Sequence, residues 1–143
     1  KKDWDMAISI FKEITGDLLY ATPQFPLTNL GVAHYNKKEY LLAEKYYRQA
    51  LKISPDSIRA LRGLGLTQID TGKYRQAVTT LEKALKIDPR LAETHFVLAQ
   101  AYALSKDYKK ALAAYAKVVE LIPDTPMAAS AAAGIKAIGT LKQ

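Results

Sequence analysis

Apolar and polar positions alternate along most of the chain with the spacing of an amphipathic helix. Leu27 and Leu30 share one helix face, because residues three and four apart lie on the same side. The same arrangement returns 34 residues later with Leu61 and Leu64, and again with His95 and Leu98. The pattern predicts one helix at the start of each of three similar units.

A second series predicts a second helix in every unit. Ala43, Ala77 and Ala111 are also 34 residues apart, and a large residue follows each of them by four positions. These large residues are Tyr47, Leu81 and Tyr115. Gly31, Gly65 and Ala99 are small residues of the first helices, and we expect them to let the second helix come close.

Breaks separate the predicted helices at regular places. Polar segments at 37–39, 71–73 and 105–107 are typical of turns within each unit. Pro55, Pro89 and Pro123 should end the second helices, because proline disfavours helical backbone at the residue before it.

Both ends of the chain extend this pattern. Residues 3–14, with Trp4, Ala7 and Phe11, resemble a second helix whose first helix is missing, which suggests a truncated or processed chain. Residues 16–26 should form an irregular elbow in which Tyr20 and Phe25 cover a gap or contact a partner. Thr125 and Pro126 predict the start of a last helix that runs to about Leu141.

The period of 34 residues and these positions resemble the tetratricopeptide repeat over about residues 24–125. The resemblance implies an all-α fold, a right-handed superhelical solenoid of antiparallel helix pairs. It would contain three full repeats, a leading half repeat and a C-terminal capping helix. The predicted single domain, 1–143, then consists of a half repeat with its elbow (1–23), repeats at 24–57, 58–91 and 92–125, and the cap at 126–143.

Composition limits the chemistry that this chain could perform. It contains no cysteine, which excludes disulfides and thiolate metal sites. His34 and His95 fall in different units, where we expect them to fill apolar or aromatic packing positions rather than to form a catalytic pair. We therefore predict no enzyme activity, no metal, no cofactor, no small-molecule substrate and no membrane span.

The family resemblance also implies a binding site. In such repeats the first helices line a concave groove that holds a peptide or protein segment. In that groove, Arg59 and Arg62 could bind a carboxylate of the partner through bidentate hydrogen bonds. The candidate groove residues are Thr28, Asn29, Val32, Tyr35, Asn36, Arg59, Arg62, Leu66, Phe96 and Gln100.

Two other functions remain open. The net charge is +7, but the basic residues are spread over the second helices without grouped aromatic residues, so nucleic-acid binding is a distant alternative. The basic residues on the predicted second helices are Lys45, Arg48, Lys52, Lys83, Lys86, Lys109, Lys110 and Lys117.

Self-association through the open first repeat or the Ala-rich last helix is the stronger of the two alternatives.

Residues 4–51 are also similar to the outer-membrane repeat lipoproteins of type IV pilus assembly. The shared features are Asp17, Leu19-Tyr20 and Asn29-Leu30-Gly31. This resemblance implies a periplasmic self-assembly or scaffold role in the bacterial envelope, whereas the repeats alone are equally compatible with the cytoplasm.

Overall fold

The computed structural model describes residues 2–15 and 24–141, and the described residues form eight α-helices. Helices α1 to α4 belong to one compact unit, Lys1–Gly72, and helices α5 to α8 belong to another, Lys73–Gln143. The predicted partition into repeats stays a prediction. The helices are α1 (Lys2–Thr15), α2 (Gln24–Asn36), α3 (Tyr40–Ile53), α4 (Ile58–Asp70), α5 (Tyr74–Ile87), α6 (Ala92–Leu104), α7 (Tyr108–Leu121) and α8 (Pro126–Leu141).

The predicted ends of the second helices are confirmed. Helices α3, α5 and α7 each end two residues before Pro55, Pro89 or Pro123. The predicted start of the last helix is also confirmed, because the backbone N–H of Ala128 donates to Oγ1 of Thr125 at 3.1 Å. This hydroxyl satisfies one of the N–H groups that a helix leaves unpaired at its start.

The turns between α2 and α3, between α4 and α5, and between α6 and α7 share one backbone feature. Lys38, Gly72 and Lys106 have φ angles of 63°, 78° and 65° and occupy the same position in the 34-residue period. A residue with left-handed backbone ends the preceding helix. The N–H groups at and after it turn back and bond to carbonyls that the end of the helix leaves unpaired. Glycine takes this conformation without strain, so the two lysines were not recognisable as its equivalents in the sequence.

The predicted elbow is wrong for residues 24–26. Gln24, Phe25 and Pro26 form the first turn of α2, and Pro26 is buried. Proline fits there because an N–H in the first turn has no partner within the helix. Tyr20 and the rest of the elbow lie outside the described residues, as does the side chain of Phe25.

In the first unit, one tyrosine fills the space between three helices. Tyr47 of α3 is 2% exposed and lies in a cluster with Leu27 and Leu64. A Cβ atom built on Gly31 of α2 would lie 2.6 Å from Cε1 of this ring, and one built on Gly63 of α4 would also clash with it. Glycine at both positions therefore lets α2 and α4 approach the same aromatic ring.

In the second unit, α8 covers the helices before it, as expected of a last helix. It packs on α7 and α6 through the buried residues Ala128, Ala131 and Ile138. A Cβ atom on Gly134 would lie 2.7 Å from Cε2 of Tyr115, so close approach to a tyrosine recurs here.

Candidate ligand-binding face

Helices α2 and α4 are two predicted first helices that pack against each other within the first unit. We call the surface predicted on these two helices the α2–α4 face; its predicted residues are Asn29, Val32, Asn36, Arg59, Arg62 and Leu66. The Val32 side chain is half-buried against the cluster around Tyr47, and Leu66 is half-buried as well. The face therefore combines an apolar strip with amide and guanidinium groups.

Tyr35 connects the two helices rather than standing open to a ligand. Its hydroxyl donates a hydrogen bond to Oδ2 of Asp70, and its ring lies 5.6 Å from that of Tyr40. Burial and the bond to Asp70 raise the pKa of Tyr35 well above its usual value, so it remains a donor at any physiological pH. Asp70 was not among the predicted site residues; it lies 35 residues after Tyr35, at the position equivalent to Asn36 in the 34-residue period.

The two arginines differ in their surroundings. Arg59 is exposed in the first turn of α4, where the backbone N–H of Ala60 donates to Oγ of Ser57 at 3.3 Å. Burial raises the pKa of Tyr47 to about 12, and the charge of Arg59 opposes this shift, which places the guanidinium within electrostatic range of the ring. Arg62 is half-buried and already has an interaction within the protein.

The other predicted groove residues of α2 differ in how far their side chains are exposed to solvent. Thr28 is 3% exposed, so its side chain belongs to the interior. Asn29 is half-buried and Asn36 is exposed. Residues that are already packed can position a ligand only through the backbone or through their neighbours.

Phe96 and Gln100 lie in the second unit, on α6. Both are half-buried, and the ring of Phe96 meets that of Tyr115 edge-on at 5.7 Å. Eight of the ten predicted residues thus belong to the first unit, and these two belong to the second.

A depression in the second unit was not predicted. It lies among α5, α6 and α7, with a volume of about 410 Å³. Its polar groups already interact, since Tyr102 donates to Oε2 of Glu82 at 3.0 Å and Lys110 Nζ lies 5.7 Å from the Tyr102 ring centre. The lining consists of Glu82, Leu85, His95, Leu98, Tyr102, Lys110, Ala113, Ala114 and Lys117.

The predicted basic residues of the second helices are exposed, apart from the half-buried Lys117. Arg48 forms an ion pair with a buried carboxylate: it donates to Oε1 of Glu44 at 2.8 Å, and Glu44 is only 9% exposed. The arginine thus compensates the charge of the buried Glu44.

The part of the chain that the structure describes contains no cluster of three or more histidine and acidic residues able to hold a metal ion. Within the same residues, none of the helices combines the length and apolar character needed to cross a membrane.

Solved structures of similar fold include protein–peptide complexes. The Yersinia enterocolitica type III secretion chaperone SycD, in complex with a peptide of the translocator YopD, is 18% identical, with a TM-score of 0.80 over 89% of this chain and 100% of that chain. The first TPR domain of Spaghetti (RPAP3), bound to the HSP90 peptide SRMEEVD, is 14% identical, with a TM-score of 0.79 over 88% of this chain and 98% of that chain. These likenesses show the fold.

Comparison of the amino-acid sequence with known proteins points to the same family of folds. The BBSome complex member BBS4 of Bos taurus is 26% identical over 125 residues, covering 87% of this chain and 24% of that protein. This chain thus spans about a quarter of the length of that relative. Two sequence models, both described as tetratricopeptide repeat, match residues 25–90 and 68–135. The chain therefore belongs to the tetratricopeptide-repeat family.

Proposed function

We propose that this chain is a non-catalytic protein-interaction domain that binds a peptide or protein segment on the α2–α4 face. The proposal rests on Arg59, which is exposed and, by helical spacing, shares a face of α4 with the half-buried Leu66, while the half-buried Val32 lies on α2, the helix that packs against α4. An apolar strip with a few convergent polar groups is the usual composition of a ligand site. Arg62 lies on the same side of α4 by helical spacing and already takes part in an interaction within the protein.

The ligand class follows from this chemistry. Arginine binds carboxylates with two parallel hydrogen bonds, and such charge-assisted bonds are stronger than neutral ones. We therefore expect a segment with one or more acidic side chains beside an apolar side chain. The peptide on RPAP3, SRMEEVD, has this character, which supports the proposal by analogy.

The test uses peptides selected against the intact chain. A library of random peptides displayed on phage is panned against the protein, and the affinity of the selected peptides is measured by fluorescence anisotropy. We expect enrichment of Asp and Glu, and a loss of about tenfold or more in affinity in the double variant Arg59→Ala/Arg62→Ala. Tyr35 is left unchanged, because its bond to Asp70 makes it part of the fold.

The control removes equal charge from another surface. Lys45 and Lys52 are exposed on α3, so the variant Lys45→Ala/Lys52→Ala lowers the net charge by the same amount. It should retain the affinity of the parent protein. If both double variants lost affinity equally, general attraction to a basic protein would explain the binding, and the assignment to the α2–α4 face would be wrong.

A further inference from the structure

Helix α1 carries an exposed apolar surface, which we call the α1 face. Trp4, Met6 and Ile10 are 38%, 65% and 47% exposed. Ile8 is buried in a cluster with Leu30 of α2, and the half-buried Phe11 packs against this cluster while part of its side chain stays accessible. Large apolar side chains gathered on one exposed face indicate an interaction site.

Helix α8 has an exposed surface of the opposite character, which we call the α8 face. Ala129, Ala132 and Ala133 are exposed on the side of α8 that does not pack on α7. In the 34-residue period, Ala133 is the equivalent of Gly31, Gly65 and Ala99. All three equivalents are buried, and Gly31 lies against Tyr47 of α3.

The two faces are complementary halves of one repeat. Helix α8 has the sequence position of a first helix, whereas α1 matches a second helix, with Ala7 at the position of Ala43 and Phe11 at that of Tyr47. We propose that the α8 face of one copy of this chain packs against the α1 face of a second copy, and forms an intermolecular helix pair like α2–α3. Phe11 would then lie against Ala133, as Tyr47 lies against Gly31.

Charge supports the same register. In the α2–α3 pair, Nδ1 of His34 lies 3.6 Å from Oε1 of Glu39, and the backbone N–H of Glu39 donates to the His34 carbonyl at 2.9 Å. The equivalents of these two positions are Lys136 on α8 and Asp3 on α1, which are both exposed and have opposite charge. An exposed ion pair adds little affinity, but it selects one register over others.

The inferred contact is heterologous, since it joins two different surfaces of identical chains. Such contacts propagate from copy to copy unless a ring closes. It is also separate from the α2–α4 face, so the two proposals can fail independently. A symmetric α1–α1 or α8–α8 dimer would instead stop at two copies.

The experiment measures the mass of the 143-residue chain by sedimentation equilibrium over a range of concentrations. We expect the average mass to rise with concentration beyond that of a dimer. Ile10→Lys on the α1 face and Ala133→Arg on the α8 face should each raise the dissociation constant by about tenfold or more. A mixture of these two variants retains one intact face of each kind, and should form a dimer that does not grow.

Matched controls place the same side chains elsewhere. Ile53→Lys and Ala116→Arg alter exposed positions of α3 and α7 and should leave association unchanged. Asp3→Lys and Lys136→Asp should each weaken association about two- to fivefold, and the double variant should restore it. Circular dichroism establishes that each variant is folded.

Three results would overturn the proposal. The first is a parent chain that remains monomeric at every concentration, which would leave both faces to other partners. The second is a single-face variant that associates with the dissociation constant of the parent, which would indicate a symmetric dimer through the other face. The third is a mixture of Ile10→Lys and Ala133→Arg that stays monomeric while the parent associates.

Discussion

At the scale of single residues, His34 shows how a polar side chain occupies an apolar position of the repeat. It is 3% exposed, and its ring stacks on that of Tyr46 with centroids 5.2 Å apart. Burial lowers the pKa of His34 below its ordinary value; nearby Glu39 opposes this shift, while Lys12 and Lys37 add to it. The folded protein therefore holds the neutral imidazole.

This arrangement makes stability depend on pH. Because the folded pKa lies below the value of about 6.5 in the unfolded chain, the unfolded chain binds a proton first as the pH falls. The contribution of His34 is thus complete above about pH 7 and decreases as the pH falls through about 6.5. We expect His34→Gln, which copies the buried Gln68 at the equivalent position, to reduce the slope of unfolding free energy between about pH 5.5 and 7. Urea unfolding at several pH values measures this, and an unchanged slope would contradict the role of His34.

At the scale of helices, the close approach of α4 to α3 depends on Gly63. A Cβ atom there would overlap the Tyr47 ring, whereas one on Gly139 of α8 would meet nothing within 4 Å. We expect Gly63→Ala to lower the free energy of unfolding by about 1–3 kcal/mol, because an overfilled core must shift. Gly139→Ala should raise it by about 0.5–1 kcal/mol, since alanine favours the helix. Urea unfolding followed by circular dichroism measures both.

A coupled variant tests the cause. Leu81 stands at the position of Tyr47 in the next repeat, so Tyr47→Leu is a substitution that the repeat already accepts. If the ring is the obstacle, the effects of Gly63→Ala and Tyr47→Leu should combine to less than their sum. Additive effects would mean that Gly63 matters for another reason.

At the scale of the whole molecule, the net charge of +7 matters less than its distribution. The basic side chains of α3, α5 and α7 are mostly exposed, and some are paired, such as Lys117 with Glu120 at 3.2 Å. We expect mobility shifts with single-stranded DNA only at low salt, with loss of binding by about 0.15 M salt. A shift that persists at that salt concentration and prefers one sequence would contradict this expectation.

The sequence by itself determined the helices and their order. The period of 34 residues carried this information, because each repeated leucine, alanine or proline acts through local geometry: helix periodicity, close approach, or exclusion from a helix. Pro55, Pro89 and Pro123 predicted where α3, α5 and α7 end, and Thr125 predicted where α8 begins. The predicted elbow was wrong for residues 24–26, since Pro26 is compatible with both a loop and the first turn of a helix.

Only the tertiary structure decided which side chains remain available. The sequence could not separate Thr28, which is buried, from Asn36, which is exposed on the same helix, because both follow the helical period. It also could not pair Tyr35 with Asp70, or show that Trp4, Met6 and Ile10 of α1 stay exposed. The exposure of a side chain and its hydrogen-bond partners depend on residues that are distant in the sequence. The packing of whole helices decides which of these residues come into contact.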